Sequence, residues 1–180
     1  MINTNWIVFT GAPCSGKTTV LDRLKKQGYH YVPEVARIYI ESELAKGRDL
    51  KAIRENEGEF QRGLILAKAE IEEKLDPQET IFLDRAMPDS ISYYKLAGLN
   101  PSEVFELSNR YRYHQVFIFD RLPIEFDHAR TENDSERELL DSYLYSDYKL
   151  LGYQVIRVPI MPIEDRLNFV TQYLPNQNAV

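Results

Sequence analysis

Apolar residues along the chain fall into short dense runs separated by longer periodic stretches. Five runs read as strands: Trp6–Thr10, Tyr29–Val32, Thr80–Asp84, Gln115–Asp120 and Tyr153–Val158. They are rich in aromatic and β-branched residues and most are nearly continuous in apolar character, which suits strands buried on both faces. Between them the apolar spacing turns helical. Thr19–Lys26 predicts a helix that Gly28 stops, and Val35–Lys46 a second, with Val35, Ile38, Tyr39 and Leu44 near one face and Gly47 at its end.

Ile53, Phe60, Leu64, Ala67, Ile71 and Leu75 predict one long helix or two across Leu50–Leu75, closed by Pro77. Gly58 and Gly63 weaken a continuous helix by roughly 1 kcal/mol each against alanine. Pro88–Ala97 reads as a helix ended by Gly98, and Asn100-Pro101-Ser102-Glu103 starts another with a cap residue, a proline and an acid. Ser135-Glu136-Arg137-Glu138 opens a helix with a capping box, its apolar stripe being Leu140, Leu144, Tyr148 and Leu151 before Gly152. Ile163–Leu174 predicts a closing helix. Arg121–Asn133 is polar, charged and aperiodic, which predicts a loop or mobile flap, and residues 175–180 form a loose tail.

Strands alternating with helices predict an α/β domain with a five-stranded parallel sheet, covering residues 1–174. Ligands of such sheets sit beyond the carboxyl ends of the strands. That rule gathers Gly11–Thr18, Glu34, Asp84-Arg85, Asp120-Arg121 and Pro159–Pro162 along one edge, although they are far apart in sequence.

Composition narrows the classes. The 180 residues suffice for one domain with a good core, and 43% hydrophobic with 28% charged residues is ordinary for a soluble globule. A formal net charge of −6 gives no basic surface for nucleic acid. The single cysteine, Cys14, excludes an internal disulfide and suits a reducing compartment. No apolar run reaches membrane-spanning length and no signal peptide is visible, so a cytoplasmic location is expected. No internal repeat or linker divides the chain.

The strongest local pattern follows the first strand. Gly11-Ala12-Pro13-Cys14-Ser15-Gly16-Lys17-Thr18 spells G-x-x-x-x-G-K-T, the phosphate-binding P-loop, with Thr19 continuing into the helix. Glycines let backbone N–H groups curl round polyphosphate, and the helix beyond points its positive end at it. Lys17 is expected to bridge the β- and γ-phosphates and Thr18 to put its hydroxyl on magnesium.

Asp84 and Asp120 each end an apolar run, as a magnesium-binding carboxylate does; Asp84 is favoured because Arg85 beside it can reach phosphate. Glu34, just past the second strand, can accept a proton from a hydroxyl attacking the γ-phosphate. Arg37 shares its helix face and can pair with Glu34 or hold substrate. Within the flap, Arg130 is the candidate to close over the transferring phosphoryl group, with Arg121 second. His128 reads as a surface histidine, and three scattered histidines offer no zinc spacing. Among twelve tyrosines, Tyr93, Tyr94, Tyr111 and Tyr113 fall in the region that would cover the pocket, most of them as packing.

These pieces resemble the P-loop ATPase/kinase family (the AAA_28-like group) that includes the ribosylnicotinamide kinase domain of the bacterial bifunctional NAD-biosynthesis regulator. The matching segments are G-A-P-C-S-G-K-T-T at Gly11–Thr19, P-E-V-A-R at Pro33–Arg37, F-Q at Phe60–Gln61, L-D-R at Leu83–Arg85, D-H-A-R-T at Asp127–Thr131 and R-V-P at Arg157–Pro159. The architecture is also similar to deoxynucleoside kinases. The resemblance implies a three-layer P-loop fold with helices on both sheet faces, with Glu34 as base, Asp84 and Arg85 as the acid–arginine pair and Arg130 as the flap arginine. It also implies that Pro159, Ile160 and Met161 touch adenine.

The leading expectation is a small-molecule kinase using ATP and Mg2+ on a nucleoside-like acceptor. The alternatives are a nucleotide-driven switch or ATPase read by a partner, and a nucleotide-binding adaptor without catalysis. No N-K-x-D guanine-reading pattern occurs, and no helical lid domain follows the core, which argues against a GTPase and a ring-forming motor.

Overall fold

The computed structural model describes residues 1–122 and 134–174; most of the expected flap and the C-terminal tail lie outside the described residues. The chain runs β1 (Ile2–Asn3), β2 (Ile7–Thr10), α1 (Lys17–Lys26), β3 (His30–Val32), α2 (Val35–Ala45), α3 (Leu50–Arg54), α4 (Glu57–Glu73) and β4 (Ile81–Asp84). It continues through α5 (Asp89–Leu96), α6 (Ser102–Ser108), β5 (Tyr111–Arg112), β6 (Gln115–Phe119), α7 (Asp134–Leu150), β7 (Val155–Val158) and α8 (Ile163–Thr171).

The five expected strands form one parallel sheet in the order β3-β4-β2-β6-β7. β2 lies at its centre, with Val8 opposite Leu83 of β4 and Val116 of β6. The order of connection reverses at β2, so the crevice beyond its carboxyl end is where this topology opens for a ligand. A two-residue parallel ladder between β1 and β5 was not legible in the sequence; with so few residues it has no periodicity to read.

Alternation along the strands divides the core. Ile7 and Phe9 turn to one face with Phe82, Phe117 and Phe119, where α1 and α8 cover them through Leu21, Leu24, Leu167 and Val170. Trp6 and Val8 turn to the other, with Ile81, Leu83, Val116 and the buried Tyr113, Tyr148 and Tyr153. Ile65, Met87, Ile91 and Val104 extend that side between α4, α5 and α6. A fully buried side chain of this size contributes roughly 1.5–3 kcal/mol, so the central strands hold the site's floor firmly.

The structure decides one open expectation and corrects others in detail. The stretch 50–75 is two helices, because Asn56 accepts a hydrogen bond from Glu59 N at 3.2 Å and caps α4, while Asp49 caps α3 through Ala52 N at 2.7 Å. The buried face of α2 is Val35 with half-buried Ala36, Tyr39 and Ile40; Ile38 and Leu44 are exposed. Gly63 lies inside α4 because a Cβ there would overlap the Tyr39 ring, so its absence lets α2 and α4 approach closely. α7 is already helical at Asp134, so Ser135 is inside its first turn and not its cap.

Candidate nucleotide-binding site

β2 ends at Thr10 and the chain turns at once through Gly11–Gly16 into α1. Three residues of this loop take positive φ: Gly11 at 130°, Cys14 at 62° and Gly16 at 83°. Such turns direct successive N–H groups to one concave side, which makes an anion nest. Gly11 is required for a second reason: a Cβ would stand 2.6 Å from the Phe119 carbonyl at the end of β6. Ser15 is fully buried, and its carbonyl accepts a 2.7 Å bond from Arg166 of α8. Arg137 of α7 donates to the Pro13 carbonyl at 3.0 Å. The loop is thus braced from behind by two guanidinium groups.

Lys17, the first residue of α1, folds back on its own loop. Its ammonium donates to the Gly11 and Ala12 carbonyls at 3.2 Å and to Ser15 Oγ at 3.0 Å. Burial and then the nearby Arg85 charge lower its pKa to about 8, against the opposing pull of Asp84, Glu34 and Asp89. Thr18 Oγ1 donates to Asp84 Oδ2 at 3.3 Å, and the other carboxylate oxygen, Oδ1, is buried with no hydrogen-bond partner among the described residues. Burial raises the Asp84 pKa, more than Lys17 and Arg85 lower it. An orphaned carboxylate oxygen beside a hydroxyl at the edge of a phosphate nest fits the coordination of Mg2+, which takes few protein ligands and completes its shell with water and phosphate.

Arg85 follows Asp84 with φ of 67°, a left-handed conformation rare for a residue with a side chain. Its own N–H stays in the sheet, donating to Phe9 O at 3.0 Å, while the kink returns the side chain over the end of β2. There the guanidinium donates to Glu34 Oε1 and to Gly11 O, both at 2.9 Å. Asp89, absent from the sequence-based candidates, fixes the other side of this knot. It is fully buried, accepts 2.5 Å bonds from Thr10 Oγ1 and Tyr148 Oη, takes Ala86 N at 3.0 Å, and lies 3.5 Å from Arg85.

Glu34 sits between β3 and α2. Burial alone would raise its pKa, but the Arg85 charge and hydrogen bond together with Lys17 outweigh it and hold the carboxylate below its ordinary value. Arg85, not Arg37, is its partner; Arg37 stands exposed on the rim of the cleft.

These groups open on one cleft of 820 Å³, bounded by the P-loop and α1 on one side and by α2, α3, α4 and α5 on the other. Cys14, Ser15, Gly16, Lys17, Thr18, Thr19, Glu34, Arg37, Asp84 and Arg85 all line it, so the structure brings most expected residues together. Asp120 does not join them. It accepts from Arg157 at 3.1 Å, which also binds Asp141 at 2.7 Å, on the far edge of the sheet. Pro159 is exposed beyond β7 and outside the cleft wall. Arg130 and His128 fall outside the described residues. Of the four tyrosines considered, only Tyr93 lines the cleft, with Arg85 5.4 Å over its ring; Tyr94 and Tyr113 are core residues.

Sequence reasoning also missed Lys68. It lies on the same helical stripe as Leu64 and Ile71, and a charged residue in an apolar stripe was the available signal. Gln61, quoted above only as part of a motif, lines the cleft and donates to Glu57 at 2.8 Å.

A family described as an AAA domain matches residues 6–166. No curated protein matches the chain by sequence. Among solved structures, the chain is similar to thymidylate kinase from Ehrlichia chaffeensis, with 16% identity, TM-score 0.68, and 97% of this chain and 100% of that one covered. It is similar to deoxyadenosine kinase from M. mycoides, with 16% identity, TM-score 0.65 and coverage of 94% and 98%. It is also similar to a NadR protein in complex with NR, with 18% identity, TM-score 0.68 and coverage of 95% and 52%, so it spans about half of that protein. Among the described residues no helix is long and apolar enough to cross a membrane. The chain belongs to the AAA domain family matched over residues 6–166, and its fold is that of the P-loop nucleoside and nucleotide kinases.

Proposed function

We propose that the protein is an ATP-dependent small-molecule kinase that transfers the γ-phosphoryl group of ATP to a hydroxyl of a nucleoside-like metabolite. The observation that carries this reading is the convergence, in one cleft, of a braced phosphate nest, an orphaned carboxylate oxygen beside Thr18, and an ionised Glu34 held by Arg85. A switch or adaptor needs the first; only phosphoryl transfer uses all three.

In this reading the P-loop amides from Ala12 to Thr19 hold the β- and γ-phosphates, and Lys17 exchanges its loop carbonyls for phosphate oxygens. Thr18 and Asp84 would hold Mg2+, which when bound neutralises charge across the β- and γ-phosphates; Asp120, paired with Arg157, is the weaker candidate. The acceptor hydroxyl attacks the γ-phosphorus as its proton passes to a Glu34 oxygen. The bond to the β-γ bridging oxygen breaks, and ADP leaves with that electron pair. Arg85 keeps Glu34 aimed and ionised. Arg130 would close over the transferring group, Arg37 would hold the acceptor, and Pro159 would border adenine.

The test is ATP-Mg2+ incubated with a panel of nucleosides, vitamins and sugars, followed by ADP release and product mass. One compound should stimulate release and gain a phosphoryl group. Slow release indifferent to the whole panel would select the switch or hydrolase. With the productive acceptor, Glu34→Gln should slow transfer by about 10²- to 10⁴-fold while sparing ATP binding. Transfer at the normal rate by that variant removes Glu34 as the base.

A further inference from the structure

Lys68 is a lysine in the wrong place for a lysine. It belongs to the middle of α4, is 6% exposed, and forms part of the cleft wall. Its ammonium donates to the Ala86 carbonyl at 2.9 Å and to Ser90 Oγ at 2.8 Å, both neutral oxygens. An ammonium has three protons, so one donor is unaccounted for by these bonds. Buried lysines are ordinarily ion-paired, yet among the described residues no carboxylate lies within ion-pair distance of this one.

Burial lowers the Lys68 pKa against the pull of three acids, Asp89, Glu72 and Glu34, and all three are already committed. Asp89 is taken by Thr10, Tyr148, Ala86 N and Arg85. Glu72, one turn further along α4, turns its oxygens to Tyr113 Oη at 3.0 and 3.1 Å and to Met87 N at 3.2 Å. Burial raises the Glu72 pKa to about 7, so it is only partly ionised at neutral pH and neutralises Lys68 incompletely.

The rest of that wall leans the same way. Glu34 is bound to Arg85, and Glu57, hydrogen-bonded to the neutral Gln61 amide, keeps its charge; Arg37 and Arg54 face the cleft with no carboxylate at ion-pair distance among the described residues. Arg54 is stacked 4.4 Å over the Phe60 ring, which positions it without cancelling its charge. The remaining carboxylates are Asp84, beside Thr18, and Glu136, at the start of α7 next to the P-loop brace. The described cleft wall thus carries five cations against four carboxylates, in a protein whose net charge is −6.

We propose that the phosphoryl acceptor is itself an anion, carrying a phosphate or carboxylate group, and that Lys68 selects it. This rests on the kinase reading and narrows it. The acceptor's anionic oxygen takes the third Lys68 proton and supplies the countercharge that the fold withholds. Arg37 and Arg54 draw the anion into the mouth of the cleft by longer-range attraction.

The experiment measures binding calorimetrically in the presence of saturating non-hydrolysable ATP analogue and Mg2+. Its probes are matched pairs: thymidine with thymidine monophosphate, ribose with ribose 5-phosphate, and glucose with gluconate. The charged member of at least one pair should bind about tenfold or more tighter than its neutral twin. The phosphate and carboxylate arms then show which anion is meant. Lys68→Met, which is close in volume, should erase that preference while its heat of ATP-analogue binding and its circular dichroism stay as in the parent. Arg54→Gln, a change at an exposed residue that gives up its stacking on Phe60, should reduce the preference and its sensitivity to salt while the circular dichroism stays as in the parent. Equal or tighter binding of every neutral twin, or no binding by any charged member, overturns the inference. So does a Lys68→Met protein that keeps the preference. Turnover of a neutral acceptor with normal ATP binding would leave the kinase reading standing and remove this one; absence of any heat with the ATP analogue would remove both.

Discussion

At the phosphate end of the cleft the groups aimed at a ligand come from one unbroken segment, Gly11–Thr19, and are mostly main-chain amides with a single ammonium. At the acceptor end they are side chains carried by α2, α3, α4 and α5, spread from Glu34 to Tyr93. The first arrangement is specified locally. Positive-φ positions at Gly11, Cys14 and Gly16 shape it, and Arg166 and Arg137 only brace it from behind. The second depends on tertiary packing, and its charges are fixed by one another: Glu34 by Arg85, Arg85 by Asp89, Asp89 by Thr10 and Tyr148. Lys17 at the phosphate end can therefore be altered without loosening the fold, whereas the network behind the acceptor end cannot.

The largest effect that tests this contrast is on Asp89. Asp89→Ala removes an acceptor from the Thr10 and Tyr148 hydroxyls and the Ala86 N–H in one step, all buried, and takes the countercharge from Arg85. Breaking a buried charged network from one side costs about 3–5 kcal/mol. Urea unfolding should show a free energy lowered by that amount, read as a lower midpoint at unchanged m-value, and nucleotide binding should fail as Arg85 loses its seat. A variant as stable as the parent would mean that the knot is incidental.

Lys17→Ala is the opposite case. Among the described residues its ammonium is satisfied by its own loop alone, and it is disfavoured by burial, so removing it strains nothing. Transfer should fall by about 10²- to 10³-fold, the scale for losing one preorganised charge-stabilising donor. Unfolding free energy should move by less than about 1 kcal/mol. If instead the two variants lose stability equally, the two ends are not built differently.

The same contrast explains what could be read from the sequence. The three inner strands were legible because each is buried on both faces and announces itself as a dense apolar run, and the half-buried edge strands β3 and β7 because they keep aromatic and β-branched residues between glycine and proline stops. The P-loop was legible because its function is written in consecutive residues. Asp84, Arg85 and Glu34 were found by the rule that ligands gather at strand ends. Asp120 obeys the same rule and yet turns aside to Arg157, since a strand end fixes where a side chain starts and not which cation it meets. Asp89, at the start of a helix, and Lys68, midway along one, were missed because their decisive partners are distant in sequence: 59 and 79 residues away for Asp89, 18 and 22 for Lys68. No local pattern encodes such pairings. The face of α2 was misjudged by one position for a related reason: its burial is set by the approach of α4 at Gly63, which its own periodicity does not contain.

The finest test of the phosphate end is its pH dependence. In the free protein Lys17 titrates at about 8, with Arg85, Asp84, Glu34 and Asp89 as its charged neighbours. Polyphosphate favours the ammonium, so binding raises that pKa. Below pH 8 the group is charged in both states and contributes no slope. Above pH 8 the free protein has lost the proton and must regain it on binding, so affinity should fall by up to about tenfold per pH unit until the raised bound value is reached. The nucleotide's own last ionisation lies below this window and leaves it undisturbed. Calorimetry at pH 9 in buffers of differing ionisation enthalpy should report uptake of close to one proton, and at pH 7 almost none from this source. Affinity that stays flat through pH 9 would show that Lys17 does not leave its loop carbonyls for the phosphates, and the local segment would then hold its ligand by main-chain amides alone.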